Sequence, residues 1–436
     1  MSIQKGSETL VSAIEKSTIS KIKSRIIPIV LILYVISYLD RVNLGYASLD
    51  MNADLKISAA QYGLTAGIFF IGYFLFEIPS NLLMHKVGAR VWIARILITW
   101  GIISAATGLA QNVYHLYIFR FILGLAEAGF FPGILLYLTY WFPARERARA
   151  VGMFMLALPI SYIIGAPVSG LILDHIHWGG IEGWRWLFAI EGLPAVILGI
   201  VTLFFLPNRP SIAKWLTQEE KDWLNQELDK EHQSKLKEEK LTLKESILSG
   251  RVLWLGFIYL SIVIALYGVG FWVPQIVKGF SSGASDTAIG FITAIPYVIG
   301  GIAMVLWSRH SDKTLERRYH TALPLIVCGV GLALLTFLTH FATLALIMLT
   351  VVIVATFSFF GPFWTLPSLF LTEITAAAGI ATINSIGNLG GFIGPYAIGF
   401  ISDATGSQYG GLFVIVVFAV IGFFVTLGIK LTKKTS

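Results

Sequence analysis

Twelve apolar stretches of about 20 residues divide this chain, and they constrain its fold more than any other feature of the sequence. A helix of that length crosses the hydrocarbon core of a bilayer, where a backbone without internal hydrogen bonds is too costly. We therefore predict an all-α integral membrane protein with twelve transmembrane helices. We number the stretches as spans 1 to 12; they lie at residues 26–49, 61–84, 91–110, 113–140, 151–173, 186–206, 252–277, 287–307, 321–339, 342–369, 379–402 and 411–430.

The composition agrees with a membrane protein and excludes several other classes. Charged residues make up 13% of the 436 residues, about half the share typical of soluble domains. The single cysteine, Cys328, rules out an intrachain disulfide framework. No Walker A sequence, H-E-x-x-H pair or cluster of Cys and His ligands occurs in the sequence. The sequence therefore predicts a protein that is not an enzyme and that uses no cofactor and no metal.

The lysines and arginines lie mostly on one side of the predicted membrane. The two terminal segments and the loops after the even-numbered spans hold nearly all of them, whereas Lys56, Arg185 and Lys278 lie on the other side. Because positive loops stay in the cytoplasm, both termini are predicted to be cytoplasmic, in a multi-pass protein of the plasma membrane. The net charge of +7 then reflects topology, and no nucleic-acid partner is expected.

One long polar segment divides the spans into two sets of six. It covers residues 207–250 and opens with Pro207 and Pro210. Thr217 and Glu220 have the spacing of a capping box, which predicts a short surface helix there. The predicted organisation is a cytoplasmic tail at 1–25, an N-terminal six-helix bundle at 26–206, a cytoplasmic loop at 207–250, a C-terminal six-helix bundle at 251–430 and a cytoplasmic tail at 431–436.

The two sets of six spans carry traces of an internal repeat. "IGAPVSGLILD" in span 5 and "IGPYAIGFISD" in span 11 match at one constant separation, which pairs Gly165 with Gly394 and Asp174 with Asp403. Two six-helix copies joined by a loop are predicted to form pseudo-symmetric halves, with a binding site near the membrane midplane between them. Such a protein works by alternating access, in which the halves rock around the site.

Four charged residues lie at mid-depth of the predicted membrane, where each costs at least a few kcal/mol. Asp40 and Arg41 are neighbours in the middle of span 1. Arg120 and Glu127 lie on one face of span 4, about 10 Å apart along its axis. Intramembrane charges of this kind mark ion or substrate pathways. We therefore predict that the four residues form one site in the N-terminal half.

Two interpretations of these four residues are open from the sequence. In a structural interpretation, they form two buried ion pairs that only hold spans 1 and 4 together. In a functional interpretation, they form an anion site with a proton switch. Arginine offers a fixed fork for a carboxylate, and a partly desolvated Asp or Glu can be loaded with a proton and unloaded. The functional interpretation is preferred, because polar groups at this depth are by default functional.

Other polar residues in the spans show weaker patterns. Glu77 and Arg95 lie at similar distances from the turn between spans 2 and 3, which predicts an ion pair within this hairpin. Asn384 and Asn388, four residues apart in span 11, are predicted to face the cavity, because amides are costly in lipid. Further candidates for the cavity wall are Tyr73, Tyr162, Tyr267, Trp272, Gln275, Tyr297 and Trp364.

Several of these stretches together resemble a known family. "YLDRVNLGYASLDMN", "GIFFIGYFLFEIPSNLL", "RFILGLAEAGFFPGILLYLTYWFPARERARA" and "INSIGNLGGFIGP" are similar to motifs of the anion:cation symporter family of the major facilitator superfamily, most of all its tartrate and hydroxyphenylacetate permease branch. The resemblance implies the major facilitator fold and uptake of an organic anion with protons. At matching positions it implies that Arg41, Arg120 and Asn388 bind the anion and that Asp40 and Glu127 carry protons.

The leading hypothesis is a secondary active transporter that imports a small organic carboxylate, such as tartrate, an aldarate or an aromatic acid, by proton-coupled symport. Its predicted substrate-binding residues are Arg41, Arg120, Tyr73, Asn384 and Asn388, and its predicted proton-coupling residues are Asp40 and Glu127. The expected partners are the anion, protons and membrane lipid, and a monomer is expected. The alternatives are a drug/proton antiporter, which two arginines at mid-depth disfavour, and a membrane receptor or enzyme without transport.

Overall fold

A computed structural model of the chain describes residues 2–237, 249–281, 283–367, 373–407 and 409–429. Across these ranges the regular structure is helical, and the helices follow the predicted spans. Within the described ranges, ten apolar helical segments are long enough to cross a membrane by length and composition. The remaining two spans are a pair of 16-residue helices in span 11 and a shorter apolar helix in span 12. The all-α prediction is confirmed, and the helices agree with twelve spans.

Each predicted span corresponds to one helix or to two consecutive helices. Spans 1 to 6 are formed by Ser2–Asp54, Ala59–Val87, Ala89–Thr107, Val113–Glu127 with Phe130–Thr139, Ala144–Met155 with Ala157–His175, and Gly183–Phe205. Spans 7 to 12 are formed by Gly250–Phe280, Asp286–Thr314, Arg318–Leu338, Ala342–Thr365, Glu373–Asn388 with Gly390–Thr405, and Leu412–Leu427. The helix Gln218–Lys237 lies in the loop that joins the two sets.

Span 4 is broken just after Glu127. Its first helix ends at Glu127 and its second begins at Phe130, and Gly129 between them has a left-handed backbone conformation (φ 85°). Glycine adopts this conformation without a steric cost. Gly129 also lies against the side chain of Ser80 in span 2, so a larger residue would not fit there. The break leaves the carboxyl of Glu127 at the end of a helix, in contact with Ser37 of span 1.

The predicted surface helix is present and is joined to the N-terminal segment. The N–H of Thr217 donates to the Glu220 carboxyl (2.9 Å) and the N–H of Glu220 donates to the Thr217 hydroxyl (3.3 Å), which confirms the predicted capping box. Burial opposes the charge of Glu220, but hydrogen bonds from Lys21 and Ser17 outweigh it and hold the pKa of this carboxyl below its usual range. The predicted tail is therefore the helical start of Ser2–Asp54, anchored on the surface helix.

The bundle has two faces, which we call the basic face and the opposite face. The basic face holds the loops at residues 140–143 and 206–217, and the opposite face holds those at 55–58 and 176–182. Between the faces, Tyr38 of span 1 and Tyr267 of span 7 approach each other with their hydroxyl oxygens 3.0 Å apart. They are separated by 229 residues, as are the matched residues of spans 5 and 11. The two copies of the repeat therefore meet at equivalent residues.

On the opposite face, two aspartates join the halves in the same way. Asp174 at the end of span 5 accepts hydrogen bonds from two backbone N–H groups at the start of span 8 (3.2 and 2.8 Å). Asp403 at the end of span 11 accepts from two backbone N–H groups at the start of span 2 (3.0 and 2.9 Å). Each carboxylate thus meets the positive end of a helix from the other half. The sequence match of Asp174 with Asp403 is confirmed by these equivalent contacts.

Replacing Asp403 by alanine should make the opposite face open more often. A lost helix cap costs about 1 kcal/mol, which corresponds to roughly a fivefold change in an equilibrium constant. Ser48 provides a reporter position, because it lies between the halves near this face and accepts a hydrogen bond from Gln275. In a Cys328→Ser, Ser48→Cys background, the Asp403→Ala change should raise the rate of labelling by a membrane-impermeant maleimide several-fold.

A surface aspartate provides the matched control for this prediction. Asp222 is exposed on the surface helix, so Asp222→Ala should leave the labelling rate unchanged. Asp174→Ala should act like Asp403→Ala, since the two caps are equivalent. If neither cap variant is labelled faster than the parent, these contacts do not hold the opposite face closed.

Candidate functional site

A cavity lies between the two halves. It has about 480 Å³ of empty space, its open mouth included, and residues from spans 1, 2, 4, 5, 7, 10 and 11 line it. Its wall is mostly aromatic, and Arg41 is the one charged residue that the described part of the chain contributes to it. Small-molecule sites are typically concave, largely apolar and provided with a few polar groups. The cavity is therefore the candidate binding site.

Arg41 presents its guanidinium at the cavity wall in a fixed position. One terminal nitrogen donates to the hydroxyl of Tyr267 (2.9 Å), and the other forms an ion pair with Glu127. Three aromatic rings have their centres 5.0 to 5.5 Å from the guanidinium carbon; they belong to Tyr38, Phe69 and Tyr73. Aromatic faces attract cations at this range. The charge is therefore held in one place, next to the space that a ligand would occupy.

Glu127 lies behind Arg41 and is completely buried. One carboxyl oxygen accepts hydrogen bonds from the guanidinium of Arg41 and from the hydroxyl of Ser37 (2.8 Å). The other oxygen has no hydrogen-bond partner within the described ranges. Because an ionised carboxylate needs several donors when it is buried, the charged form of Glu127 depends on Arg41.

Asp40 faces away from Arg41, although the two are neighbours in the chain. Its carboxyl accepts hydrogen bonds from the indole N–H of Trp100 (2.5 Å), the hydroxyl of Ser104 and the amide of Asn43 (3.2 Å). Successive residues of an α-helix are rotated by about 100°. This rotation turns Asp40 toward span 3 and Arg41 toward the cavity, so the two side chains do not act as one pair.

Arg120 is completely buried and lies outside the cavity wall. Its guanidinium carbon is 5.1 Å from the ring centre of Phe69, the same ring that Arg41 contacts. Its Nε and one terminal nitrogen have no hydrogen-bond partner in the part of the chain that is described. The predicted second ion pair between spans 1 and 4 is thus not formed by the described residues, whereas the pair of Arg41 with Glu127 is.

The structure gathers most of the predicted substrate-binding residues at the cavity. Arg41, Tyr73, Asn384 and Asn388 line it, as does Tyr267. Other candidates for the wall pack elsewhere: the rings of Tyr162 and Tyr297 stack on each other with centres 4.2 Å apart. Asp40, Arg120 and Glu127 lie behind the wall. The roles assigned to all these residues stay predictions.

The predicted ion pair between Glu77 and Arg95 is wrong. Glu77 accepts hydrogen bonds from Asn384 (3.0 Å) and Ser385 (3.2 Å) of span 11, and Arg95 donates to the backbone carbonyl of Ala126 (3.2 Å). The spacing from the turn gave the depth of each residue but not the rotation of each helix. Span 2 turns Glu77 toward the other half, where it joins the two halves on the side of the cavity nearer the basic face.

A large part of the aromatic wall is not among the predicted residues. The missed aromatic residues are Tyr34, Tyr38, Phe70, Phe131, Tyr259 and Phe360. For span 1 a signal exists, because Tyr34 and Tyr38 precede Arg41 at seven and three residues and so share its helix face. For spans 7 and 10 no comparable signal exists, since their aromatic residues occur among uniformly apolar neighbours.

Comparison with known proteins assigns the chain to a family. The family model described as Major Facilitator Superfamily matches residues 30–395, which is most of the chain. The chain belongs to the Major Facilitator Superfamily. It is therefore a secondary transporter of the membrane and not an enzyme, as the sequence predicted.

Individual relatives of this superfamily member agree with that assignment. A protein of Agrobacterium vitis whose name proposes tartrate transport is 48% identical over 97% of this chain and 96% of its own length. A quinolone resistance transporter of Acinetobacter baumannii is 43% identical over 94% of each protein. The crystal structure of a bacterial homologue of the human lysosomal transporter Spinster, 17% identical, has a TM-score of 0.75 and is matched over 92% of this chain and 95% of its own. The resemblance to the tartrate permease branch and the major facilitator fold are confirmed.

Proposed function

We propose that this transporter takes up a small organic carboxylate together with protons, by opening the cavity alternately to the two faces. The observation that carries the proposal is the ion pair of Arg41 with Glu127 at the cavity wall. The pair offers a ligand a fixed cation. The pair also places the carboxyl of Glu127 directly behind Arg41, and this carboxyl depends on the same cation.

An incoming carboxylate and Glu127 compete for one guanidinium. Arginine binds a carboxylate through paired N–H groups. Once the anion occupies Arg41, Glu127 loses its favourable partner and faces a new negative charge, so it binds a proton. Linkage requires the converse as well: protonation of Glu127 strengthens anion binding by the same factor, about 5- to 150-fold for a coupling of 1 to 3 kcal/mol. The competition thus couples the anion to the proton.

The other predicted site residues have supporting roles in this proposal. Asp40 is a second proton carrier, since its carboxyl is buried and bound by neutral donors alone. Arg120 adds a positive charge behind the wall, which favours an anion in the cavity at any accessible pH. The wall residues Tyr73, Asn384 and Asn388 provide hydroxyl and amide groups for the polar part of the ligand.

The cavity supports a small carboxylate and leaves tartrate, an aldarate and an aromatic acid as candidates. One guanidinium suits one carboxylate group, phenols and amides suit hydroxyl groups, and an aromatic wall suits a ring. The relative from Agrobacterium vitis carries tartrate in its name. Tartrate is therefore the first candidate substrate.

We also propose an orientation and an assembly state. The basic face is cytoplasmic because lysine and arginine are concentrated in its loops, which places both termini in the cytoplasm and the protein in the plasma membrane. The cavity is built from the two halves of one chain, so a monomer is sufficient for transport.

Transport by the purified protein in liposomes tests this function. Labelled tartrate, galactarate and 4-hydroxyphenylacetate are offered separately under an inwardly directed proton gradient. We expect at least one acid to accumulate above its external concentration, and a protonophore to abolish that accumulation. Uptake of none of them by correctly folded protein would contradict the proposal.

A drug/proton antiporter is the second candidate function, because one close relative is a quinolone resistance transporter. In the same vesicles an antiporter would exchange ciprofloxacin for protons and would not accumulate the acids. The cavity argues against an antiporter of purely cationic drugs, since the described residues give its wall a cation and no acid, and charge complementarity disfavours a cation there.

A further inference from the structure

Glu191 is a buried carboxyl in span 6 that the proposed mechanism does not use. It is 5% exposed and lies where span 6 packs against spans 1, 3 and 5. One of its oxygens accepts a hydrogen bond from the hydroxyl of Ser169 (2.8 Å). The other has no hydrogen-bond partner in the described ranges, and no cation described there pairs with it. An isolated carboxylate in such a place is costly, so the site suits the neutral acid.

Asn43 links Glu191 to Asp40. Its amide nitrogen donates to Asp40 (3.2 Å), and its side chain also lies against the carboxyl of Glu191. Asn43 is completely buried, yet its amide oxygen has no donor among the residues that are described. A buried acceptor without a donor destabilises the folded protein. Glu191 and Asn43 are neighbours, and each therefore has one side-chain oxygen that accepts no hydrogen bond from a described residue.

A proton on Glu191 would supply the missing hydrogen. We propose that Glu191 is a positioning residue that stays protonated and donates its O–H to the amide oxygen of Asn43, which fixes the amide nitrogen toward Asp40. A fixed donor stabilises the ionised form of Asp40. Glu191 thereby sets the pH at which Asp40 exchanges its proton. This inference rests on the proposed role of Asp40 as a proton carrier.

Few other groups near this network can titrate. Spans 3 and 5 contribute Trp100, Ser104 and Ser169, which keep their protons at physiological pH. Among the described residues, the titratable and charged groups that face the network are Asp40 and Tyr46 on span 1 and Arg120 and Glu127 on span 4. Arg120 and Glu127 face Asp40, so a substitution of Glu191 affects these two residues through Asp40.

Infrared spectroscopy tests the protonation of Glu191 without relying on transport. Glu191→Gln keeps a group that accepts from Ser169 and can donate to Asn43. In the difference spectrum of wild type minus Glu191→Gln at neutral pH, we expect the C=O stretching band of a protonated carboxyl group. Carboxylate bands in its place would overturn the proposal, whatever the variant transports.

The pH dependence of uptake tests the effect on Asp40. Glu191→Gln should keep the wild-type profile. Glu191→Leu removes the donor and should move the pH of half-maximal uptake upward by about 0.5 to 1 unit, as the loss of one hydrogen bond implies. Asn43→Leu should cause the same displacement, and the double variant should cause no larger one, because both changes remove the same donor.

Two outcomes of the transport experiment would overturn the proposal. One is a Glu191→Gln variant that loses gradient-driven accumulation and keeps exchange, since Glu191 would then carry protons itself. The other is an unchanged pH profile in Glu191→Leu; if this variant does not fold, the profile of Asn43→Leu decides. Failure of the proposed function can be told apart from failure of this inference. In that case the wild type would accumulate no carboxylate, but the infrared spectrum would still report whether Glu191 is protonated.

Discussion

Replacing Arg41 by lysine should lower carboxylate uptake about 10- to 100-fold, although the charge is kept. Arg41 uses one terminal nitrogen for Tyr267 and the other for Glu127, and a lysine ammonium cannot reproduce that planar fork. It also loses the stacking of a flat guanidinium against three rings. The measurement is the initial rate of uptake as a function of substrate concentration. The loss should appear mainly as a higher KM, because binding is what the fork provides.

Arg147→Lys is the matched control for this substitution. Arg147 pairs with Glu231 (2.9 Å) on the surface helix, away from the cavity, so its lysine variant should transport like the wild type. Arg120→Lys tests the charge behind the wall. It should lower carboxylate uptake less than Arg41→Lys does. Unchanged kinetics in Arg41→Lys would remove this residue from the binding site and favour a purely structural ion pair.

Glu127→Gln should abolish accumulation against a gradient while exchange of substrate across the membrane continues. Glutamine imitates the protonated carboxyl and leaves Arg41 available to the anion, but it cannot release a proton. The variant is therefore expected to bind substrate with little dependence on pH, whereas binding to the wild type weakens as pH rises. Counterflow and gradient-driven uptake, measured in the same proteoliposomes, separate the two activities.

Glu146→Gln provides the control for the loss of an acidic partner. Glu146 pairs with Lys23 (2.6 Å) at the basic face, and its replacement should preserve both counterflow and accumulation. A parallel fall of the two activities in Glu127→Gln would show that Glu127 maintains the structure or binds substrate. Retained accumulation would assign the coupling proton to another group.

The spans and the buried charges could be predicted because each follows from a local rule. The thickness of the bilayer sets the length of a span, and an ionised side chain at mid-depth stands out wherever it occurs. The capping box of Thr217 and Glu220 likewise depends only on a spacing of three residues. These rules need no knowledge of which helices are neighbours.

The partners of the buried groups could not be predicted, because they depend on how each helix is rotated about its axis. Asp40 and Arg41 are adjacent in the sequence, yet one faces span 3 and the other faces the cavity. The sequence pattern predicts a contact of Glu77 within its own hairpin, whereas Glu77 contacts the other half. Each of these spans is apolar on nearly every face, so hydrophobic periodicity gives little information on how the helix is rotated about its axis.

The pairing of Arg41 with Glu127 has a consequence for the response to membrane voltage. In the empty cavity the two charges cancel each other. In the proposed loaded state the anion cancels the charge of Arg41 and Glu127 holds a proton, so these groups again contribute no net charge. Moving one net charge through the membrane costs about 2.3 kcal/mol per 100 mV. When Glu127 alone carries a proton, we expect a monovalent carboxylate to cross electroneutrally. When Asp40 carries a second proton, we expect a divalent acid such as tartrate to do so. In either case the rate is independent of the membrane potential.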